Sequence, residues 1–334
     1  MKIENVDRPL LEVKGLSKYY TAESNKILNK RKYIKVVDHI DLSIYPGEVF
    51  GLVGESGCGK STFAKMLVDV ITPTEGQINY KGKNYSEMSH QQKKEYHKDI
   101  QIIFQDPYSS LNPKKRVGWI LEEPLKIHTA LTSQERKQKV EEILEVAGLD
   151  ASFIGKFPNE LSGGQRQRVS IAAALMLNPE LIIADESVSA LDVSIQSQIL
   201  NLMKKLQEEK NLTYLFISHD LNVVQYMSDR IGVMYFGKLV EVGSVDDIYQ
   251  SPRHPYTKAL LSSIPSVSGE KERERILLTG DVPDLLAPPG GCPFHTRCRE
   301  MKESCKRECP ELVEIEKGHF VSCNCVQALR ETYT

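Results

Sequence analysis

A chain of 334 residues with 40% hydrophobic content is long enough to bury a full core, as one large domain with an appendage or as two modest domains. Its 43 basic and 45 acidic residues leave a net charge of −2, so no basic field exists to hold a nucleic-acid backbone. No run approaches the roughly 18 apolar residues of a spanning helix, and Met1 to Leu10 is too charged for a signal peptide. The expectation is a cytosolic chain with no DNA or RNA partner.

In chain order, Leu11 and Val13 open a strand-like alternation, and the polar, lysine-rich stretch Asn25 to Lys32 reads as an exposed insertion. Val49-Phe50-Gly51-Leu52-Val53 is a short strand that runs into a glycine-rich loop. A helix follows from Lys60 to Val70, and Pro73 stops it. From about 106 to 160 the pattern turns helical: Thr132 and Glu135 make a capping box, and Val140, Ile143, Leu144 and Ala147 share one face before Gly148. This predicts a helical insert. Beyond it come a helix over Gln165 to Leu177 ended by Asn178-Pro179, a buried strand at Leu181 to Ala184, a helix at Ile195 to Glu209 and a strand at Leu212 to Ser218. Strands alternating with helices imply an α/β fold whose sheet is mainly parallel and covered on both faces. Prolines gather at Ser251 to Pro255, and Asp281 to Gly291 is rich in proline and glycine. The first domain is therefore expected to cover 1–250, with 251–334 as an extension.

Gly54-Glu55-Ser56-Gly57-Cys58-Gly59-Lys60-Ser61, with Thr62 next, fits G-x-x-x-x-G-K-[ST], a loop whose backbone N–H groups wrap a phosphate chain. The glycines let the backbone close around an anion, and the helix starting near Lys60 adds its positive end. Lys60 is expected to reach the β- and γ-phosphates of ATP and Ser61 to ligate Mg²⁺. Leu181-Ile182-Ile183-Ala184-Asp185-Glu186 is an apolar strand ending in two carboxylates, at the sheet edge where α/β proteins place ligands. Asp185 suits Mg²⁺, and Glu186 suits a general base that polarises the attacking water.

Leu161-Ser162-Gly163-Gly164-Gln165 opens the next helix, a second glycine-led helix start and so a second anion site. With this pentapeptide the chain resembles the ABC ATPases. The resemblance implies a P-loop NTPase cassette with an N-terminal antiparallel β portion and a helical subdomain at about 106–160. It also implies a dimer in which the signature of one protomer closes over ATP held by the P-loop of the other. The remaining motifs follow in order over residues 10 to about 240. Gln105 resembles the Q-loop glutamine, a catalytic and Mg²⁺-contacting residue. Ser189-Ala190-Leu191-Asp192 resembles the D-loop, and His219 resembles the switch histidine that bonds the γ-phosphate. Tyr20 resembles the aromatic that stacks on adenine.

Six of the seven cysteines lie between Cys292 and Cys325, a density that favours metal ligation in a reducing compartment. Only Cys305-x₃-Cys309 has the paired spacing usual for zinc, so spacing alone leaves iron–sulfur, zinc and no metal open. Ser251-Pro252-Arg253-His254-Pro255-Tyr256-Thr257 and Gly291-Cys292-Pro293-Phe294-His295-Thr296-Arg297-Cys298 resemble the tail of oligopeptide/dipeptide-importer ATPases. That resemblance implies a structural [4Fe–4S] cluster on Cys292, Cys298, Cys305 and Cys323, with Cys309 and Cys325 as extras. The stretch Phe104 to Pro113 resembles the F-type of the two ATPase subunits. It implies a heterodimer with a D-type sibling, two transmembrane permease subunits, an extracytoplasmic substrate-binding protein acting through the complex, and a peripheral place on the cytoplasmic side of the membrane. Nickel or metal-chelate importers have related ATPases. A non-transport ABC ATPase is the rival class, but the paired cassettes or long coiled coils of those proteins are not found here.

Overall fold

A computed structural model describes residues 8–21, 33–189, 191–264 and 275–331. The expected insertion at Asn25 to Lys32 and the D-loop residue Ala190 lie outside the described residues. The chain divides into two compact units, one of Met1–Leu11, Ser43–Val49 and Asn79–Ser218, the other of Glu12–Leu42, Phe50–Ile78 and His219–Thr334.

The N-terminal strands are β1 (Leu11–Thr21), β2 (Tyr33–Ile44) and β3 (Val49–Val53), the last buried at every position as a strand covered on both faces must be. Helix α1 (Lys60–Leu67) buries Phe63, Ala64, Met66 and Leu67, and β4 (Glu75–Tyr80) returns the chain to a sheet with β1 and β2. The short β5 (Lys83–Asn84) pairs with the end of β4. Helix α2 (His90–Asp99) begins at a Ser89/Gln92 capping box and leads into β6 (Ile100–Ile103).

The helical stretch is α3 (Pro107–Ser110), α4 (Val117–His128) and α5 (Ser133–Val146), followed by two 3₁₀ turns. Val117, Leu121 and Leu125 recur every fourth residue on α4 and are buried, as are Val140, Ile143 and Leu144 on α5. The Thr132/Glu135 box is made in both directions, which satisfies N–H groups at the start of α5 that would otherwise lack partners. Helix α6 (Gly163–Leu175), β7 (Leu181–Asp185), α7 (Val193–Lys210) and β8 (Thr213–Ile217) complete the first unit, where β6, β7 and β8 run parallel in that order. Their continuous apolar runs match a sheet shielded on both sides.

The second unit continues with α8 (Leu221–Met227), β9 (Arg230–Tyr235), β10 (Lys238–Ser244), α9 (Val245–Gln250) and α10 (Pro255–Ser262). It ends with β11 (Val313–Glu316), β12 (His319–Val321) and α11 (Asn324–Glu331). There β3 pairs parallel with β9, β9 antiparallel with β10, and β12 joins β10 and carries β11 at the edge. Residues on both sides of position 250 are stitched together by Glu241, which is fully buried on β10. Its carboxylate accepts from the Arg253 and His254 N–H groups at 2.7 and 2.9 Å and from His319 Nε2 at 2.8 Å. These three hydrogen bonds offset the cost of burying a carboxylate at that depth. Among the described residues no helix is long and apolar enough to cross a membrane.

Candidate nucleotide site

In the second unit β3 delivers the chain into the phosphate loop, and α1 leaves it with Gly59 as N-cap at φ 109°. A Cβ on Gly59 would lie 2.3 Å from the Val36 carbonyl oxygen, so only glycine lets the loop lie this close to β2. Lys60 is 5% exposed, and its ammonium donates to the Gly54 and Glu55 carbonyls at 2.7 and 3.1 Å. The cation therefore sits inside the loop on weak neutral acceptors that phosphate oxygens can replace with stronger, charge-assisted ones. Ser56 and Gly57 are exposed at the loop's crest, while Ser61 and Thr62 are half-buried in the first turn of α1. Burial raises the Cys58 thiol above its ordinary value, so this cysteine stays neutral and acts as packing.

Of the paired aromatics, Tyr19 is engaged through its hydroxyl with Glu75 at 3.1 Å, whereas Tyr20 is 38% exposed with the Lys18 ammonium 5.3 Å from its ring centre. Tyr20 is thus the more exposed of the two rings. His219 is exposed, and Asp220 after it caps α8 by accepting from the Asn222 and Val223 N–H groups, which fixes the backbone that carries the imidazole.

In the first unit Asp185 closes β7 and is 3% exposed. Glu186 follows at φ 46°, a left-handed conformation uncommon outside glycine. It is held there by its N–H on the Ile217 carbonyl at 2.9 Å and by the Ser189 hydroxyl on its own carbonyl at 2.9 Å. The turn brings the Glu186 carboxylate to Gln105, whose Nε2 donates to it at 2.7 Å although the two are 81 positions apart. Ser162 caps α6 through a reciprocal box with Gln165, at 3.3 Å and 3.0 Å. The box uses the N–H groups of Ser162 and Gln165 and leaves those of Gly163 and Gly164 at the positive end of a 13-residue helix.

The tail adds contacts that residue spacing does not reveal. Arg297 forks onto Glu55, Nη1 to Oε2 at 2.9 Å and Nη2 to Oε1 at 3.2 Å, and the Glu55 N–H donates to the Tyr256 hydroxyl at 3.0 Å. Tyr256 and Arg297 belong to the stretches Ser251 to Thr257 and Gly291 to Cys298, but nothing in the sequence pairs them with a loop as far as 242 positions away.

Cys292, Cys298, Cys305, Cys323 and Cys325 line one cavity together with His254 and Phe294; Cys309 is exposed and takes no part in it. A Cβ on Gly291, at φ 68°, would stand 2.4 Å from the Cys305 carbonyl oxygen, which accepts from the Cys292 N–H at 2.8 Å. That close approach brings two of the cysteine segments together. The sulfurs of Cys305 and Cys325 are 3.9 Å apart, so Cys325 stands beside one of the expected ligands. Burial pushes the Cys292 thiol up to about 12 and the Cys298 thiol up to about 11. Binding a metal here therefore requires displacing protons. Among the described residues no three His, Cys, Asp or Glu side chains converge on a single-ion site.

The glycine-led loop before α1 and the glycine-led start of α6, on an α/β scaffold, fit an ATP-binding cassette of the ABC type, and the family model "ABC transporter" matches residues 37–189. A second model, "Oligopeptide/dipeptide transporter, C-terminal region", matches residues 240–305. The oligopeptide transport ATP-binding protein AppF of Bacillus subtilis is 52% identical over 318 residues, covering 94% of this chain and 97% of its own length. The dipeptide transport ATP-binding protein DppF of Haemophilus influenzae is 47% identical, covering 94% and 96%. A dimeric ATP-binding cassette solved in a post-hydrolysis state with ADP and Pi is 31% identical with a TM-score of 0.62, covering 70% of this chain and 98% of that one. The chain belongs to the family of ATP-binding subunits of oligopeptide/dipeptide ABC transporters.

Proposed function

We propose that this chain is the ATPase that energises uptake of oligopeptides or dipeptides through partner membrane subunits. The observation that carries this reading is similarity to peptide-transport ATP-binding proteins at 44 to 52% identity over nearly the whole chain, the tail included. Lys60 holds the β- and γ-phosphates, and the loop N–H groups from Ser56 to Thr62 surround them, with Glu55 as the loop residue that precedes them. Ser61, Asp185 and Gln105 are the residues for Mg²⁺, which when bound neutralises charge on the phosphate oxygens. Glu186 takes the proton of the attacking water, kept in place by the Gln105 amide. His219 stabilises charge on the γ-phosphate, and Tyr20 stacks on adenine. Ser162, Gly163, Gly164 and Gln165 close over the nucleotide of a D-type sibling, so the working unit is a heterodimer seated on two permease subunits at the cytoplasmic face, fed by an extracytoplasmic binding protein. Residues 1–250 act as the cassette and 251–334 as a cysteine-bearing extension.

The same reading gives the extension a [4Fe–4S] cluster. Support comes from five cysteines that line one cavity and from the resemblance of the cysteine-bearing tail to that of oligopeptide/dipeptide transporters. Cys292, Cys298 and Cys305 hold it, with Cys323 as fourth ligand; when bound, the cluster cross-links the tail.

The deciding experiment is assembly of the chain with its sibling, permeases and binding protein in lipid nanodiscs. ATPase activity is expected to rise several-fold with di- or oligopeptides and not with nickel chelates; a flat response to every peptide tested overturns the cargo assignment. Anaerobic purification of the same complex is expected to yield about four iron and four acid-labile sulfide per chain, as the cluster formula requires. Cys292→Ser abolishes both, and Cys309→Ser leaves them intact. Absence of iron and sulfide from the unmodified complex rejects the cluster.

A further inference from the structure

The cysteine turn and the phosphate loop share more than a neighbourhood. Glu55, the second residue of the loop, is held on both of its sides by the tail: the carboxylate by Arg297 and the backbone N–H by Tyr256. Arg297 is nearly buried, with 8% of its side chain exposed, so the fork forms where water screens it little. Burial works against its charge, but the Glu55 carboxylate outweighs that and raises the guanidinium above its ordinary value. Tyr256 is fully buried in an aromatic group with Tyr235 and Phe294, at ring separations of 4.6, 5.2 and 5.4 Å.

Arg297 and Phe294 also belong to the turn that carries two cavity cysteines. Cys292 precedes Phe294 by two residues and Cys298 follows Arg297 directly. The Arg297 N–H donates to the Phe294 carbonyl at 3.0 Å, and the Cys298 N–H to the His295 carbonyl at 3.3 Å. These bonds close a 3₁₀ turn, so Arg297 cannot shift without carrying Cys298 along.

We propose that the Cys292–Cys298 turn is a brace on the phosphate loop, in which Arg297 is a positioning residue that sets nucleotide affinity through Glu55 and couples it to the packing of the cysteine cavity. Arg297 touches no phosphate. It fixes Glu55, and with it the direction in which the N–H groups after Glu55 point. The coupling is reciprocal, since a nucleotide that favours the braced loop must favour the closed cysteine turn by the same free energy. The part played by Arg297 stands on the fork alone; only the identity of what fills the cavity rests on the cluster proposed above.

The test is equilibrium titration of the purified full chain with MgADP, which it cannot turn over. Arg297→Ala is expected to weaken binding about tenfold, within the usual range for coupled sites. Arg297→Lys, which keeps a cation within reach of Glu55, stays within about threefold. Glu55→Gln weakens binding as Arg297→Ala does, and the double variant is no worse than the weaker single, because both remove one interaction. The second arm strips the chain of metal and follows alkylation of Cys292 and Cys298 by mass spectrometry. MgADP is expected to slow both at least about threefold in the native sequence and to have no such effect in Arg297→Ala, because only the braced chain couples the two sites. An unchanged MgADP affinity in folded Arg297→Ala, or strictly additive single losses, overturns the brace. Should Arg297→Ala not fold, Glu55→Gln decides the question with the tail intact, and an unchanged affinity there overturns the brace equally. Absence of iron would remove the cluster and leave these outcomes as they are, so the two failures are distinguishable.

Discussion

Replacing Glu186 with glutamine is expected to lower ATP turnover by at least about a hundredfold, the usual contribution of a general base, while ATP binding is kept. The substitution preserves shape and leaves an amide oxygen that can still accept from Gln105, so the turn after β7 has no reason to rearrange. What it removes is the ability to take a proton. The left-handed backbone at Glu186 strengthens the case: an L-residue is held in a conformation it does not favour by bonds from Ser189 and to Ile217, and the result is a carboxylate aimed at Gln105. In the proposed heterodimer ATP is then expected to stay trapped and the complex closed. Phosphate release in single-turnover format, alongside ATP affinity, checks this; turnover at the native rate removes Glu186 as the base.

The parts of the fold that are readable in the sequence are those fixed by local chemistry. The strand at Val49–Val53 and the helix start at Lys60 fall where the apolar run and the glycine loop put them. The boxes at Thr132/Glu135 and Ser162/Gln165 mark two helix starts through residues three apart, within reach of any local reading. Strand β2 is not readable in this way: its twelve residues alternate irregularly between exposed and buried, because burial there depends on neighbours far along the chain. The hairpin of β9 and β10 is equally hidden, since its register includes a shift between Leu239 and Glu241 that no period-two pattern predicts.

The same division runs through the site. Lys60, Gln105, Asp185, Glu186 and His219 announce themselves by motif, but the bond between Gln105 and Glu186 is tertiary. Arg297 and Tyr256 carry no signal as partners of the phosphate loop, because a fork onto Glu55 depends on where β9, α10 and the cysteine turn pack. Position along the chain makes Cys325 an extra, yet it stands beside Cys305, since the start of α11 turns it inward.

Lys60→Met is expected to abolish nucleotide turnover, with loss of at least about three orders of magnitude, because preorganised electrostatic contacts to transferring phosphate are usually the largest catalytic contribution. Methionine reproduces the length of the side chain and nothing of its charge. In the native loop the buried ammonium already sits within the cradle on the Gly54 and Glu55 carbonyls, so reaching a phosphate requires only exchanging these neutral acceptors for charged ones. With methionine those carbonyls lose their donor, and the loop gains no attraction for an anion. Lys60→Arg is expected to fail nearly as badly although it keeps the charge. The guanidinium is a wide planar fork, and the cradle that holds Lys60 is closed by Gly59 against the Val36 carbonyl and by the buried thiol of Cys58, 3.8 Å from the ammonium. ATPase assays of both variants in the assembled complex, with thermal melting to confirm the fold, separate the two causes. Recovery of activity in Lys60→Arg alone would mean that charge suffices at this position; activity in Lys60→Met would remove the loop from the catalytic site.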